Sequence, residues 1–284
     1  MFHAHPPAGG YSGCGSPRDG PFGRPDEPDA VTPGEAALAA GVGVLAGAVN
    51  ALAGGGTLLT FPALLATGMA PVTANVTSSV GLLAGYAGGS VAYRRELAGQ
   101  RARIRSLGLV SVLGGVTGAV ILLVTPAATF RAVVPFLILL SSALLAAQPT
   151  LAAAVARSRG QQRAGSEASW AVRGAVGVSG IYGSYFGGGL GVLLLGVLGV
   201  LLDDGLQRLN ALKGLLSLLI NVVGVVVFVF SGRVAWGYAA ILAATAYVGG
   251  TVGVRIARRL PPAGLRVAVV TLGVVVGIVL LVTG

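Results

Sequence analysis

The chain is short of charge, of thiols and of imidazoles. Asp, Glu, Lys and Arg make up only 10% of its 284 residues while 54% are hydrophobic, where a soluble domain carries about 25% charge. That excludes an ordinary soluble fold and leaves an all-α, polytopic membrane protein. A single cysteine, Cys14, excludes an intrachain disulfide framework and any multi-thiolate metal centre. Both histidines, His3 and His5, lie beside it near the N-terminus, so the apolar body holds no imidazole ligand or relay. Glu35, Glu96, Glu167, Asp203 and Asp204 all fall at the ends of apolar segments. A cation pump or a carboxylate proton relay needs such groups inside the membrane. No Ser/His/Asp or Cys/His set exists either. The residues therefore predict no enzyme, no cofactor and no metal, and a substrate that is anionic or neutral. The net charge of +10 comes from arginines at the ends of apolar spans, which fits membrane-flanking loops and no nucleic-acid partner.

Glycine, by contrast, is abundant, with 47 residues. Two triplets, Gly54-Gly55-Gly56 and Gly187-Gly188-Gly189, each interrupt an apolar stretch long enough to cross a bilayer. The first lies in GAVNALAGGGTLLTFPALLATG (Gly47 to Gly68) and the second in GSYFGGGLGVLLLGVLGVLLDD (Gly183 to Asp204). A glycine costs a helix about 1 kcal/mol relative to alanine, and a broken helix frees backbone polar groups that lipid cannot satisfy. Paired breaks at matching places in two halves point to a transporter's binding site.

Reading by apolar run length, at about 20 residues per span, gives a broken unit over 35–68 and spans at 72–93, 106–124 and 131–148. A second broken unit over 171–202 and spans at 207–230, 235–257 and 264–283 follow. The domain reading is a disordered tail over 1–33, rich in Pro, Gly and Asp, a first membrane repeat over 34–156, a cytoplasmic linker over 157–170 and a second repeat over 171–284. The tail has no charged region followed by an apolar core, so the first apolar segment is expected to act as its own insertion signal.

The halves are expected to superpose without gaps from the triplets onward, pairing Asn75 with Asn210, Ser78 with Lys213, and Gly114-Gly115 with Gly249-Gly250. Five arginines (94, 95, 101, 103 and 105) follow the second segment of the first half, whereas in the second half the basic loop comes one segment later, at Arg255, Arg258, Arg259 and Arg266. If both broken units crossed the membrane once, positive loops would face both compartments. If the 171–202 unit instead enters and leaves on one side as a hairpin, nearly all loop arginines fall on the cytoplasmic side and only Arg131 and Arg233 face outward, as the positive-inside rule prefers. The expectation is two inverted repeats, each with its triplet at a hairpin tip near the bilayer midplane.

Freed N–H groups and helix N-termini at such tips suit anions. The helices that follow open with polar clusters, Asn75 with Ser78 and Ser79, and Asn210 with Lys213; Ser217 and Asn221 continue the second face at spacings of four. The candidate substrate-binding set is Asn50, Gly54, Gly55, Gly56, Thr57, Asn75, Ser78, Ser79, Tyr185, Gly187, Gly188, Gly189, Asn210, Lys213, Ser217 and Asn221. Each has a blander role open to it: helix packing for glycine, backbone bonding for Ser and Thr, interhelical hydrogen bonding for Asn, and interfacial snorkelling for Lys213. Asp203-Asp204 reads as a helix N-cap.

The pattern Gly47-x-x-Asn50-x-x-x-Gly54-Gly55-Gly56, then Pro62-x-Leu64-Leu65 and Gly68-x-x-Pro71-x-x-Ala74, resembles the sulfite exporter TauE/SafE family, also called the 4-toluene sulfonate uptake permeases. Gly183-x-x-x-Gly187-Gly188-Gly189, Asn210-Ala-Leu-Lys213, Asn221 and Ser231-Gly232 before Trp236 resemble that family's repeated motif. The resemblance spans about Ala36 to Val282. It implies a multi-pass cell-membrane permease of two related halves that moves small sulfur-containing anions such as sulfite or organosulfonates. The expected partners are that anion and the lipid bilayer, with a homodimer as an open assembly state. A channel-like anion pore and a non-transporting scaffold are the competing readings.

Overall fold

The computed structural model describes residues 31–92, 95–157, 169–257 and 262–283, which hold ten helices. The expected tail (1–33) and linker (157–170) lie almost wholly outside the described residues, as do Arg94, Arg258 and Arg259. The first half contains α1 (Pro33–Ala53), α2 (Thr57–Ala66), α3 (Pro71–Ala92), α4 (Arg101–Val124) and α5 (Ala127–Arg157). The second contains α6 (Trp170–Tyr185), α7 (Leu190–Leu201), α8 (Leu206–Val229), α9 (Trp236–Ala257) and α10 (Pro262–Thr283). Helix α1 begins with Pro33 at its first position, and Thr32 and Glu35 close a capping box ahead of it. The ordered chain thus reaches into the segment expected to be tail. Among the described residues, α4, α5 and α8 are each long and apolar enough to cross a membrane.

Both triplets break their helices. Gly54 sits in the left-handed region at φ 76° and ends α1; Gly187 and Gly189 do so at φ 80° and 71° between α6 and α7. Only glycine takes this conformation without a Cβ penalty. After the first break the chain folds back: Thr60, Ala63 and Leu64 of α2 and Thr67 just after it line one crevice with Leu38, Ala39 and Val42 of α1. After the second break α7 likewise packs on α6, with Leu190 against Gly183. Each broken unit is therefore a helical hairpin.

The helices pair across the halves. Helix α1 packs against α9, and its counterpart α6 packs against α4. The two crossings match residue for residue. The Val44 carbonyl abuts Gly249 and the Gly177 carbonyl abuts Gly114; the Ala246 carbonyl abuts Gly47 and the Ser111 carbonyl abuts Gly180. Each contact falls on the other when Gly54 is laid on Gly187 and Gly114 on Gly249. A Cβ at any of these glycines would run into backbone, so the small residues set the close approach, as in membrane helix pairs generally.

The superposition is not gapless. Laid straight on from the triplets, Asn75 would fall on Arg208. Helix α7 has 12 residues where α2 has 10, and those two extra residues restore the pairing of Asn75 with Asn210.

Helices α3 and α8 occupy the centre and run antiparallel. Ser90, late in α3, donates to the Gly214 carbonyl early in α8, while Tyr86, one turn earlier, stands beside Asn221. Helices α5 and α10 are antiparallel too, with Gly273 against Ser142 and Gly277 against Leu139. One end of the bundle gathers the arginines. There Arg103 and Arg208 clasp Asp204, Gln100 Nε2 donates to the Arg208 carbonyl, and Arg173 Nε donates to Ser106 Oγ at 3.0 Å. At the opposite end Arg233 donates to the Leu123 carbonyl and Val31 touches Gly237.

Candidate functional site

The two breaks meet. A Cβ built on Gly54 would lie 2.6 Å from Gly191 Cα at the start of α7, and one on Gly187 would lie 3.7 Å from Thr57 Oγ1 at the start of α2. Phe61 and Phe186 stack edge to face beside this junction, with ring centroids 5.5 Å apart. The N-termini of two short helices, from opposite ends of the molecule, thus lie side by side.

Each break is held differently. At the first, Asn50 Oδ1 accepts from the Gly56 N–H at 3.4 Å, and Thr57 is buried. Because a backbone N–H can only donate, this contact fixes the Asn50 amide with Nδ2 turned the other way, and Nδ2 completes no hydrogen bond. At the second, the Gly188 carbonyl accepts from Ser141 Oγ at 2.9 Å and from the Tyr182 hydroxyl at 2.6 Å. The Gly188 and Gly189 N–H groups donate to no acceptor among the described residues. They stand at the N-terminus of α7, where the helix dipole favours negative charge.

The polar clusters do not converge on one point. Asn75, fully buried on α3, donates from Nδ2 to the Tyr185 carbonyl at 2.9 Å, which leaves its Oδ1 without a partner. The Tyr185 ring packs edge to face on Phe130. Ser78 shares a hydrogen bond with Thr60 of α2, so it ties α3 to the first hairpin. Ser79 bonds back to the Asn75 carbonyl at 2.9 Å, the local bond open to any helical serine. Lys213 is only 9% exposed and donates to Asn210 Oδ1 at 3.3 Å. Asn221 Nδ2 donates to the Ser217 carbonyl at 2.8 Å, while Ser217 Oγ is buried with no partner. Tyr86, between Asn50 and Asn221, lies eleven residues from Asn75 on α3, about 16 Å along the helix.

Four contributors were not among the sequence candidates: Thr60, Tyr86, Ser141 and Tyr182. Ser141-Ser142 is a polar pair inside a long apolar run, which was a usable signal. Tyr86 sits among glycines and alanines, and only the spacing 75, 79, 82, 86, 90 along one face of α3 would have pointed to it. A separate cleft of about 370 Å³ lies between α5 and α7 and is lined by apolar side chains alone, among them Leu144, Leu151, Val192 and Val197. It shares no residue with the polar set. Asp204, in the turn before α8, caps as expected: Oδ1 accepts from the Gly205 N–H at 2.6 Å. Burial pushes its pKa up, but the Gly205 N–H and the Arg103 and Arg208 guanidinium groups outweigh burial and hold the carboxyl below the ordinary aspartate value.

Comparison with known proteins places this arrangement. The chain is 25% identical over 206 residues to the probable membrane transporter protein YfcA of Escherichia coli (strain K12), a match covering 71% of this chain and 73% of that one. It is 26% identical over 204 residues to a probable membrane transporter protein of Haemophilus influenzae, covering 71% and 76%. It is 25% identical over 203 residues to the probable membrane transporter protein ORF9 of Sinorhizobium sp, covering 72% and 76%. No solved structure matches the chain. The family model described as Sulfite exporter TauE/SafE matches residues 39–280, which take in both Gly breaks and the helices that follow them. The chain is a multi-pass membrane protein and belongs to the sulfite exporter TauE/SafE family.

Proposed function

We propose that the chain is a transporter of small sulfur-containing anions, such as sulfite or organosulfonates, that exports them from the cytoplasm by alternating access. The observation that carries this reading is the junction of the breaks, where unpaired Gly188 and Gly189 N–H groups top the N-terminus of α7. Backbone donors at a helix N-terminus suit an oxyanion, whose oxygens accept several hydrogen bonds at once. The binding set is Asn50, Thr57, Lys213, Ser217 and Asn221 with the two triplets, while Asn75, Ser78 and Ser79 line the way to the opposite end. The absence of a carboxylate inside any span leaves no cation site beside them.

The two halves act as inverted repeats. Equivalent helices that pack antiparallel, α3 on α8 and α5 on α10, fit a two-fold axis lying in the membrane plane. The gathering of Arg95, Arg101, Arg103, Arg105, Arg173 and Arg208 toward one end makes that end cytoplasmic by the positive-inside rule. Rocking one half against the other about the junction would then expose the site to each side in turn. No part of this cycle calls for bond chemistry, so the protein is no enzyme.

Purified protein in liposomes preloaded with unlabelled anion tests this. A carrier accumulates labelled sulfite, sulfoacetate or another organosulfonate by counterflow. Flux that does not saturate would replace the carrier with a pore, and no flux of any of these anions would remove the proposal.

A further inference from the structure

The reading above leaves one buried group of the central helices without a role. Tyr86 projects from α3 to stand beside both Asn50 and Asn221, and it is 8% exposed. The superposition that lays α3 on α8 puts Tyr86 on Asn221, so the two residues face each other across the axis that relates the halves. Around them are two further groups with unspent hydrogen-bonding capacity. Asn50 Nδ2 is oriented away from Gly56 and completes no bond, and Ser217 Oγ, 2% exposed and one turn from Asn221, has no partner at all. A buried polar atom left unpaired costs about 1–3 kcal/mol, and two helices, α1 and α8, bring such atoms to the neighbourhood of Tyr86 on α3. Asn50 also links this spot to the junction, since it bonds Gly56, the neighbour of Thr57 at Gly187.

The charges nearby are few. Helix α3 carries none, and α1 carries only Glu35, in its first turn. Helix α8 carries Arg208 in its first turn and then Lys213, one turn from Ser217 on the same face. Helix α9 contributes the titratable Tyr238 and Tyr247, with Arg255 near its C-terminal end. Among the described side chains, one cation stands within two turns of the cluster, and no carboxylate does. Of the described groups, an anion here meets neutral donors and one positive charge. A singly charged oxyanion leaves the site near neutrality; a dianion leaves a buried negative charge with no counter-charge, which low-dielectric surroundings penalise steeply.

We propose that Tyr86 is a substrate-binding residue of the central site, donating to the anion together with Asn50 and Ser217, and that the site takes its oxyanion as a monoanion. The inference rests on the transport reading and adds two things to it, a residue and a charge state. Sulfite would enter as hydrogen sulfite, and a sulfonate, singly charged at any ordinary pH, would enter unchanged. Sulfate, a dianion, would be refused although its oxygens present the same geometry.

Liposome flux of labelled sulfite and of labelled methanesulfonate, each measured across a pH series with and without excess sulfate, tests both parts. Methanesulfonate flux should hold steady with pH, sulfite flux should fall as rising pH removes its proton, and sulfate should compete with neither. Tyr86→Phe should raise KM for both anions about tenfold with kcat largely kept, the worth of one hydrogen bond to a charged group. Sulfate competing as well as methanesulfonate, or sulfite flux rising with pH, would overturn the charge assignment while leaving transport intact. Unchanged KM in a Tyr86→Phe protein that elutes as wild type on gel filtration would remove Tyr86 from the site. Failure of every anion to move at any pH would sink the transport reading itself, and this inference with it.

Discussion

The two Gly breaks occupy equivalent places yet are tied down by opposite chemistry. At the first, a side-chain oxygen of Asn50 takes up a backbone N–H, that of Gly56. At the second, the hydroxyls of Ser141 and Tyr182 take up a backbone carbonyl, that of Gly188, and the neighbouring N–H groups are left open. Gly55 N–H and its equivalent Gly188 N–H both donate to no acceptor among the described residues, so the donor sides differ at Gly56, which is taken up, and Gly189, which is not. The helices behind them differ in the same sense: Ser78 on α3 stands where α8 has Lys213. Matched helix contacts thus carry an unmatched charge pattern, with the buried lysine in the second half alone. Shared geometry meets the needs of the backbone and the membrane; the transport proposal assigns the choice of ligand to the unshared residues.

The sharpest way to break this comparison is to remove what the halves share. Gly54→Ala should lose most of its folded yield, because left-handed strain and overlap with Gly191 each cost about 1–3 kcal/mol. Gly68 has the same backbone sense, φ 84°, with nothing within 4 Å of a built Cβ. Gly68→Ala should therefore cost only the strain, about 1–2 kcal/mol. Thermal melts in detergent compare the two, and equal losses would mean that the meeting of the breaks contributes nothing to stability.

Removing what they do not share should cost less. Asn50→Ala frees the Gly56 N–H, and Ser141→Ala combined with Tyr182→Phe frees the Gly188 carbonyl; each leaves a buried backbone group unpaired at about 1–3 kcal/mol. The melts should fall by similar amounts, but KM for the anion should rise more for the second pair, whose loop presents the open N–H groups. Lys213→Gln should raise KM about tenfold, as loss of one charge-assisted contact does. A Ser78→Gln counterpart on α3 should leave KM near wild type, and equal effects would show that the asymmetry does not bear on binding.

The smallest effect is expected at the arginine-rich end, outside the spans. Asp204 has its folded pKa held below the ordinary aspartate value, so its clasp stabilises the protein at neutral pH and is lost as pH falls through that lowered value. Asp204→Asn should melt slightly lower than wild type at neutral pH. The two curves should converge in acid below the ordinary aspartate range, and a gap that persists there would assign the loss to something other than charge.

Much of this fold was legible in the sequence, and the reasons are physical. Lipid demands long apolar helices, so the spans and both Gly breaks stand out from composition alone. Loop arginines then distinguish a hairpin from a single crossing. The matched contacts of Gly47 and Gly180 were not legible, because glycines in an apolar run carry no mark of which helix they will meet. The two-residue difference between α2 and α7 was hidden for a similar reason, since leucine-rich segments align in several registers. At the site, Asn50 and Lys213 were conspicuous as polar groups near a break. Tyr86 was not, because an aromatic residue inside a span ordinarily packs against its neighbours. Ser79 was chosen by its place on the helix, but its hydroxyl serves its own backbone.

The central claim, that the two breaks form one anion site, is tested most directly by substrate protection. With Cys14 replaced by Ser, a cysteine introduced at Thr57 stands at the junction and is the only thiol in the chain. Its rate of modification by a small soluble thiol reagent, measured in liposomes with and without a transported anion, reads the site's occupancy. The account predicts that the anion slows modification in proportion to its own KM. Modification at the same rate under saturating anion, in protein that still transports, would contradict it.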